Sequence, residues 1–582
     1  MIHASPQPAA ANQAWGSDVV AETIRALGYR YIALVPGASF RGLHDSLVNH
    51  LGNTAPEMVV CLHEEHAVSI ADGFSRVADE PMAVALHSNV GLMHATMTIF
   101  NAWCDRRPML IIGATGPVDA HKRRPWIDWI HTAQDQAAIV RPYIKWDNQP
   151  ASAEAAVEAV LRADQIARTS PFGPVYVCLD AEMQEGELDR EVRVPPAARY
   201  RPGAAPEAPQ ADLRAAVEAL RSARLPVILV GRGSRGQAEW DARVRLAEAT
   251  GAVVLTTTHN ASAFPTEHPS HILAPVGERP SEDETRLLRE ADLILSLDWH
   301  DLAGFLSARL GASQTQAPAA AQVIHCSLDR YVTNGWSMDH QALPAVDVPV
   351  LAHPDRFVAQ LLAAFGGEGA QALRAPHGFA HWTKAPPPPA SDRFGAQQMA
   401  YTLAECAAER PITFARLSFG WPQAACRFRS PLDFLGKDGG GAVGTGPGHT
   451  IGAALALRDS GRLVVGVVGD GDYLMGVNAL WTAAHRRIPM MIVVANNRSY
   501  FNDEVHQERV AKQRGRPVEN KWIGQRLSDP DVDLVAMAKA QGFTGEGPVR
   551  SAEELRAAFE RGAAIVEAGG CHVIDAWIEP GY

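Results

Sequence analysis

The stretch from Val464 to Tyr500, VVGVVGDGDYLMGVNALWTAAHRRIPMMIVVANNRSY, limits what this chain can become more than any other. Val464 to Val468 is a short apolar, β-branched run and reads as a buried strand. It ends in Gly469-Asp470-Gly471, expected to be a tight turn that brings backbone N–H groups close to a phosphate. Val477 to Arg487 reads as a helix ended by Pro489. Met490 to Ala495 reads as a second buried strand, running into Asn496-Asn497. The unit is strand, helix, parallel strand, with Asp470 and Asn497 at two strand ends, where open α/β sheets bind ligands. One carboxylate and one amide oxygen, 27 positions apart, suit a hard cation such as Mg²⁺ that keeps phosphate oxygens among its ligands. The plainer alternative is a crossover with a glycine turn and a polar exit loop.

The rest of the chain repeats the alternation. Tyr31 to Val35, Met58 to Leu62, Met82 to Leu86 and Met109 to Gly113 read as strands with helices between them. Pro226 to Val230, Ala252 to Leu255 and Ala291 to Leu297 follow after a stretch rich in Pro, Ala, Arg and Glu. At 582 residues the chain is too long for one core. The expected division is 1–185, a linker 186–209, a central unit 210–365, a Pro-rich linker 366–391 that includes Ala385 to Ala390, and 392–582. The fold class is α/β, with three doubly wound parallel-sheet domains.

Composition narrows the function. A net charge of −12, spread along the chain, argues against nucleic acid and anionic membrane as partners. No apolar run is long enough to span a bilayer, and the N-terminus lacks the pattern of a secretory signal. Seven scattered cysteines with no CxxC pair read as reduced thiols, so a cytoplasmic chain is expected. Gly231 to Gly236 spells a formal GxGxxG between a strand and a helix. The next strand ends in Thr256-Thr257-Thr258 with no acidic ribose binder, so a packing turn is expected there.

The GDG and NN pair resembles the signature of thiamine-diphosphate enzymes. The resemblance implies that Asp470 and Asn497 bind Mg²⁺ through their side chains and Ser499 through its backbone carbonyl. A second segment agrees. His63-Glu64-Glu65-His66, leading into Ala71-Asp72-Gly73-Phe74-Ser75-Arg76, resembles the family's strand, HE and A-[DE]-G-[YF]-[AS]-R helix. Glu64 is then the acid that faces the cofactor's aminopyrimidine, and Glu65 its outward neighbour. The bland alternative is a charge at a helix N-terminus, where Glu is favoured anyway. HEEH is not the zinc motif, whose histidines stand four apart.

Three features concern the cofactor's body. Val443, in the glycine-rich run Gly440 to Gly452, matches by position the apolar wedge under the cofactor's bend and is smaller than usual. Ser418 falls near a phosphate-binding hydroxyl of relatives. Asp472 departs from the small residue usual after GDG; a carboxylate there would repel phosphate unless it points away or is paired. Gly469, Gly471 and Asp472 complete the expected cofactor set.

The substrate side resembles benzoylformate decarboxylases most. His87, in His87-Ser88-Asn89-Val90-Gly91, matches a proton-relay histidine of that branch, and histidine titrates in the right range. A strand-end capping histidine is the alternative. Ala38 stands where those enzymes place a serine, with Ser39 next, and their second histidine has no match in the middle region. His449 is the remaining acid–base candidate. The resemblance implies decarboxylation of an aryl or bulky 2-oxo acid, or an acetolactate-synthase-type ligation or lyase reaction on a carbonyl substrate. It also implies a homodimer or homotetramer whose active sites form between subunits. Some relatives bind FAD on the middle region, and nothing in this sequence asks for it.

Overall fold

The computed structural model describes residues 12–311, 320–329, 343–366, 371–384 and 393–581. The run Ala385 to Ala390 of the Pro-rich linker lies outside the described residues. Among the described residues sixteen strands form three sheets, and every strand pairing within them is parallel. The α/β class with three parallel sheets is therefore observed. Near-continuous apolar runs form the central strands because helices cover both faces, whereas the edge strands Trp146–Asn148 and Thr544–Val549 stay partly exposed.

The first sheet holds β1 (Tyr31–Leu34), β2 (Glu57–Val60), β3 (Met82–Leu86), β4 (Met109–Thr115), β5 (Trp146–Asn148) and β6 (Pro174–Asp180), in the order β2-β1-β3-β4-β6-β5. The middle sheet holds β7 (Pro226–Val230), β8 (Val253–Leu255), β9 (Leu293–Leu297), β10 (Gln322–Cys326) and β11 (Val348–Val350), ordered β11-β10-β9-β7-β8. The third holds β12 (Ile412–Arg416), β13 (Leu463–Gly469), β14 (Met490–Asn496), β15 (Thr544–Val549) and β16 (Cys571–Trp577), ordered β12-β13-β14-β16-β15.

Two details differ from expectation. Gly469-Asp470-Gly471 is no tight turn. A helix begins at once, Asp470–Gly476, continues as one 3₁₀ turn, Val477–Ala479, and resumes as Leu480–Arg486. Asp470 and Asp472 in its first turn complement the helix dipole, which favours starting there. The helix ends at Arg487 in the left-handed region, two residues before Pro489.

The first and third units meet across two helices, Glu64–Ala78 and Gly446–Ala456. Glycines let the backbones touch. A Cβ at Gly452 would stand 2.0 Å from the carbonyl oxygen of Ile70, and one at Gly73 would stand 2.2 Å from that of His449. One apolar cluster runs through this crossing, from Val68 and Ile70 to Ile451, Val468 and Ile492. The glycine-rich turn after β7 is tied to carboxylates of the chain itself. Ser234 N–H donates to Asp355 at 3.0 Å, and Arg232 pairs with Asp298 and Asp329 at 2.9 and 2.8 Å. Its backbone donor and the guanidinium beside it are thus committed to carboxylates of the chain, as a packing turn requires. All seven cysteines are buried and free of disulfides. No helix among the described residues is long and apolar enough to cross a membrane.

Candidate active site

The carboxyl ends of β12, β13 and β14 lie side by side, and the loops leaving them enclose a cavity of about 270 Å³. Ser418, Val443, Gly469, Asp470, Gly471, Asp472, Asn497 and Ser499 all line it. Asp470 is 5% exposed, and its carboxylate accepts the N–H of Gly471 at 2.9 Å and of Ser499 at 3.0 Å. Asn497 Oδ1 accepts that same Ser499 N–H at 3.0 Å, so the two side-chain oxygens converge on one point. The Ser499 hydroxyl is turned away to Glu504. Asn496 also turns away, donating to Asp575 at 2.9 Å.

The electrostatics suit a cationic, phosphate-bearing guest. Burial pushes the Asp470 carboxyl up to about 6, against the pull of its N–H donors. A cation beside it would stabilise the charged form. The Ser418 hydroxyl oxygen is buried with no partner in the protein, as a group reserved for a ligand would be. No side chain fills the space over Gly469, where a Cβ would meet nothing within 4 Å. These residues fit a diphosphate held through a divalent cation.

Asp472 is paired. Its carboxylate lies 2.8 Å from Arg416 Nε and accepts the N–H groups of Gly444 and Gly446 at 2.7 and 3.1 Å. Arg416 neutralises the charge that would repel phosphate, and Asp472 pins the loop bearing Val443. Val443 itself is 37% exposed at the cavity wall. Gly444, at φ 104°, takes a conformation that side chains avoid, which lets the loop turn immediately after Val443.

Glu64 and His87 sit in the first unit, beyond the carboxyl ends of β2 and β3, which flank β1, and do not line that cavity. Glu64 is buried, opens its helix, and lies 3.0 Å from Nδ1 of the exposed His94. His63 stacks on His94 with ring centroids 4.9 Å apart. Gly91 gives Glu64 its room, since a Cβ there would approach the carboxyl at 3.2 Å. Glu65 does not face outward as expected. It reaches toward Gly444 of the third unit, and burial, together with the charge of Asp472, raises its carboxyl pKa.

His87 is held by the loop after β1. The Ser39 hydroxyl is 2.9 Å from Nδ1, the Ser39 N–H 3.3 Å, and the same hydroxyl accepts Ser88 N–H at 3.0 Å. Gly37 is obligatory here, because a Cβ would lie 2.3 Å from that of His87. Ser39 therefore serves this loop where Ala38 cannot. His131 packs edge-on against His87, with centroids 4.6 Å apart. Burial and His131 lower the His87 pKa, and Glu64 opposes them.

His449 does not belong to the open site. It is 2% exposed, with Nε2 2.7 Å from Asp72 and Nδ1 3.0 Å from Asp438. Asp438 and Asp72 overcome its burial and raise it to about 9, so it is a buried imidazolium that ties the two units. Both ring nitrogens face carboxylates, and the ring does not line the open cavity. Arg76 extends this network to Asp72 at 3.1 Å and to Asp105. Sequence reasoning missed this network, and it missed His94 and His131. Their partners are distant in the chain, and no spacing announces them.

Family models agree with this layout. The N-terminal TPP binding domain of thiamine pyrophosphate enzymes matches residues 14–139, their central domain 213–361, and their C-terminal TPP binding domain 418–576. The chain belongs to the thiamine pyrophosphate enzyme family. Relatives within this family include the benzoylformate decarboxylase of Pseudomonas aeruginosa, 26% identical over 76% of this chain and 79% of that one. Acetolactate synthase isozyme 1 large subunit of Escherichia coli is 26% identical over 85% and 83%. The probable acetolactate synthase large subunit of Methanocaldococcus jannaschii is 24% identical over 94% and 90%. The thiamine diphosphate-dependent 4-hydroxybenzoylformate decarboxylase of Rhodococcus jostii shares the fold, with TM-score 0.76 and 22% identity over 97% of this chain and 99% of that one. The thiamine pyrophosphate enzyme described here is thus an enzyme of the decarboxylase and acetolactate synthase group.

Proposed function

We propose that this enzyme uses thiamine diphosphate and Mg²⁺ to decarboxylate a 2-oxo acid, aryl or bulky, to an aldehyde and CO₂. The convergence of Asp470 and Asn497 on Ser499, within a cavity that also gathers Ser418 and Val443, carries the cofactor part of this reading. Asp470, Asn497 and the Ser499 carbonyl would hold Mg²⁺, Ser418 would meet the diphosphate, and Val443 would support the cofactor's bend. When bound, thiamine diphosphate would supply a carbon nucleophile for the 2-carbonyl and a sink for the electrons left by loss of CO₂. Glu64 would hold the proton facing the aminopyrimidine. His87 would return a proton from Nε2 to the substrate-derived carbon, while Ser39 keeps Nδ1 engaged. Trp126 and Trp129, exposed at 70% and 73% on the segment leading to His131, offer faces for an aromatic substrate.

The acid and the metal residues lie on different units and share no cavity among those lining the described site, which supports a homodimer or homotetramer with sites between subunits. Apolar side chains flank both halves: Leu62, Met93 and Met97 near Glu64, and Phe419 and Met475 near the metal residues, all substantially exposed in the single chain. The domain division 1–185, 210–365 and 392–582 belongs to this proposal.

A second reading is favoured by the acetolactate synthases among the relatives: ligation to a second carbonyl, or cleavage of such a product. One experiment separates them. A panel of 2-oxo acids is supplied with thiamine diphosphate and Mg²⁺, and CO₂ and organic products are both measured. Aldehyde from a single 2-oxo acid supports decarboxylation. An acyloin or acetohydroxy acid as main product supports ligation, and no CO₂ from any 2-oxo acid sinks the first reading.

A further inference from the structure

The first unit carries a histidine pair that the sequence does not announce. His87 follows β3, and His131 ends the short helix Ile127–Ile130, 44 positions later. Their rings meet at 4.6 Å and an interplanar angle of 71°. The meeting is built rather than incidental. Gly116 N–H donates to the His131 carbonyl at 3.2 Å, and buried Asp128 fastens the preceding segment through Arg124, accepting its backbone N–H at 2.7 Å and its guanidinium at 2.9 Å. On the other side, Gly37 and Ser39 fix His87.

We propose that His131 is a positioning residue of this site, one that acts through His87. The proposal rests on the decarboxylase reading for its role in turnover. Two imidazolium rings at this distance repel, so the pair holds its second proton weakly. The charged groups facing His87 are His131, which opposes its protonation, and Glu64, which favours it; burial also opposes it. Ser39 holds Nδ1 through both its N–H and its hydroxyl, so Nε2 is the nitrogen left to exchange. A protonated His87 gives its Nε2 proton to carbon and becomes neutral. Solvent then returns one proton to His87. With His131 beside it, His87 is a stronger acid and a better donor to carbon than an isolated imidazole.

The test is a histidine titration by NMR on the full-length, cofactor-free protein, with His87 and His131 signals assigned from His87→Gln and His131→Gln. His131→Gln should raise the midpoint of His87 by about one pH unit, the size of a close like-charge effect. His131→Lys keeps the positive neighbour and should leave the midpoint at or below wild type. The basic limb of kcat/KM against pH should move upward with the midpoint in His131→Gln and stay in His131→Lys. An unchanged His87 midpoint in His131→Gln overturns the proposal. If that variant does not fold, the wild-type signals decide: coupled two-step titrations of both histidines support the pair, and independent single-step curves overturn it. The titration reads the pair whether or not the protein decarboxylates, so its failure is distinct from failure of the substrate panel.

Discussion

Asp470 is the residue on which cofactor retention turns. It is buried, its carboxylate accepts the N–H groups of Gly471 and Ser499, and burial still outweighs them, so a cation would stabilise its charged form. Asp470→Ala should weaken Mg²⁺-dependent binding of thiamine diphosphate by at least about 100-fold in calorimetry, since loss of even an outer-shell partner costs 10–100-fold. Unchanged binding would remove Asp470 from the metal site. Glu64→Gln should behave oppositely, retaining cofactor binding while turnover falls by roughly 10²–10⁴, the usual worth of a positioned acid. Full turnover in that variant would shift the role to another carboxyl. Glu65 is the neighbour to check, because it leans toward its own chain's Gly444 rather than into water.

The helix crossing between the first and third units depends on glycine. Gly452→Ala would place a methyl 2.0 Å from a main-chain oxygen, which no rotamer change relieves. A loss of about 1–3 kcal/mol is expected, seen as a lower urea midpoint with unchanged slope. The buried charges beside this crossing add a pH dependence. His449 is raised from 6.5 to about 9 by Asp438 and Asp72. Its folded pKa exceeds its unfolded one, so its contribution is full below about pH 6.5 and fades as pH climbs through about 9. Wild type should therefore lose on the order of a few kcal/mol more than His449→Gln across that interval. Parallel stability curves for the two proteins from pH 6.5 to 9 would show that the imidazolium is not what joins the units.

At the scale of the whole molecule, the acid and the metal residues stand in separate halves of each chain. If one subunit's Glu64 completes another's metal site, two inactive variants should rescue each other. Glu64→Gln and Asp470→Ala proteins, unfolded and refolded together in equal amounts, should regain about a quarter of wild-type activity. Half of the dimers are then mixed, and each mixed dimer has one intact site of two. Sites contained within one chain would give no recovery. The glycine-rich turn after β7 teaches the converse lesson. Its motif is formally that of a nucleotide binder, yet Asp355 and Arg232 commit it to interior pairing.

What was legible in the sequence was whatever depends on local order. Apolar runs marked four strands of the first sheet, three of the middle one and two of the third, and the GDG, NN and HE motifs singled out Asp470, Asn497 and Glu64 because each lies at or just beyond the end of its own strand. Among the strands not read from the sequence, the short edge strand Trp146–Asn148 has no apolar run to announce it. Tertiary structure decided the rest, because it concerns groups that only folding brings together. It turned Asp472 from an anomaly into the partner of Arg416, and it buried His449 between two carboxylates hundreds of residues apart in origin. It set Ser39 and His131 against His87. Long-range pairing of this kind follows from how strands are ordered in a sheet and how two helices cross, and no periodicity along the chain encodes it.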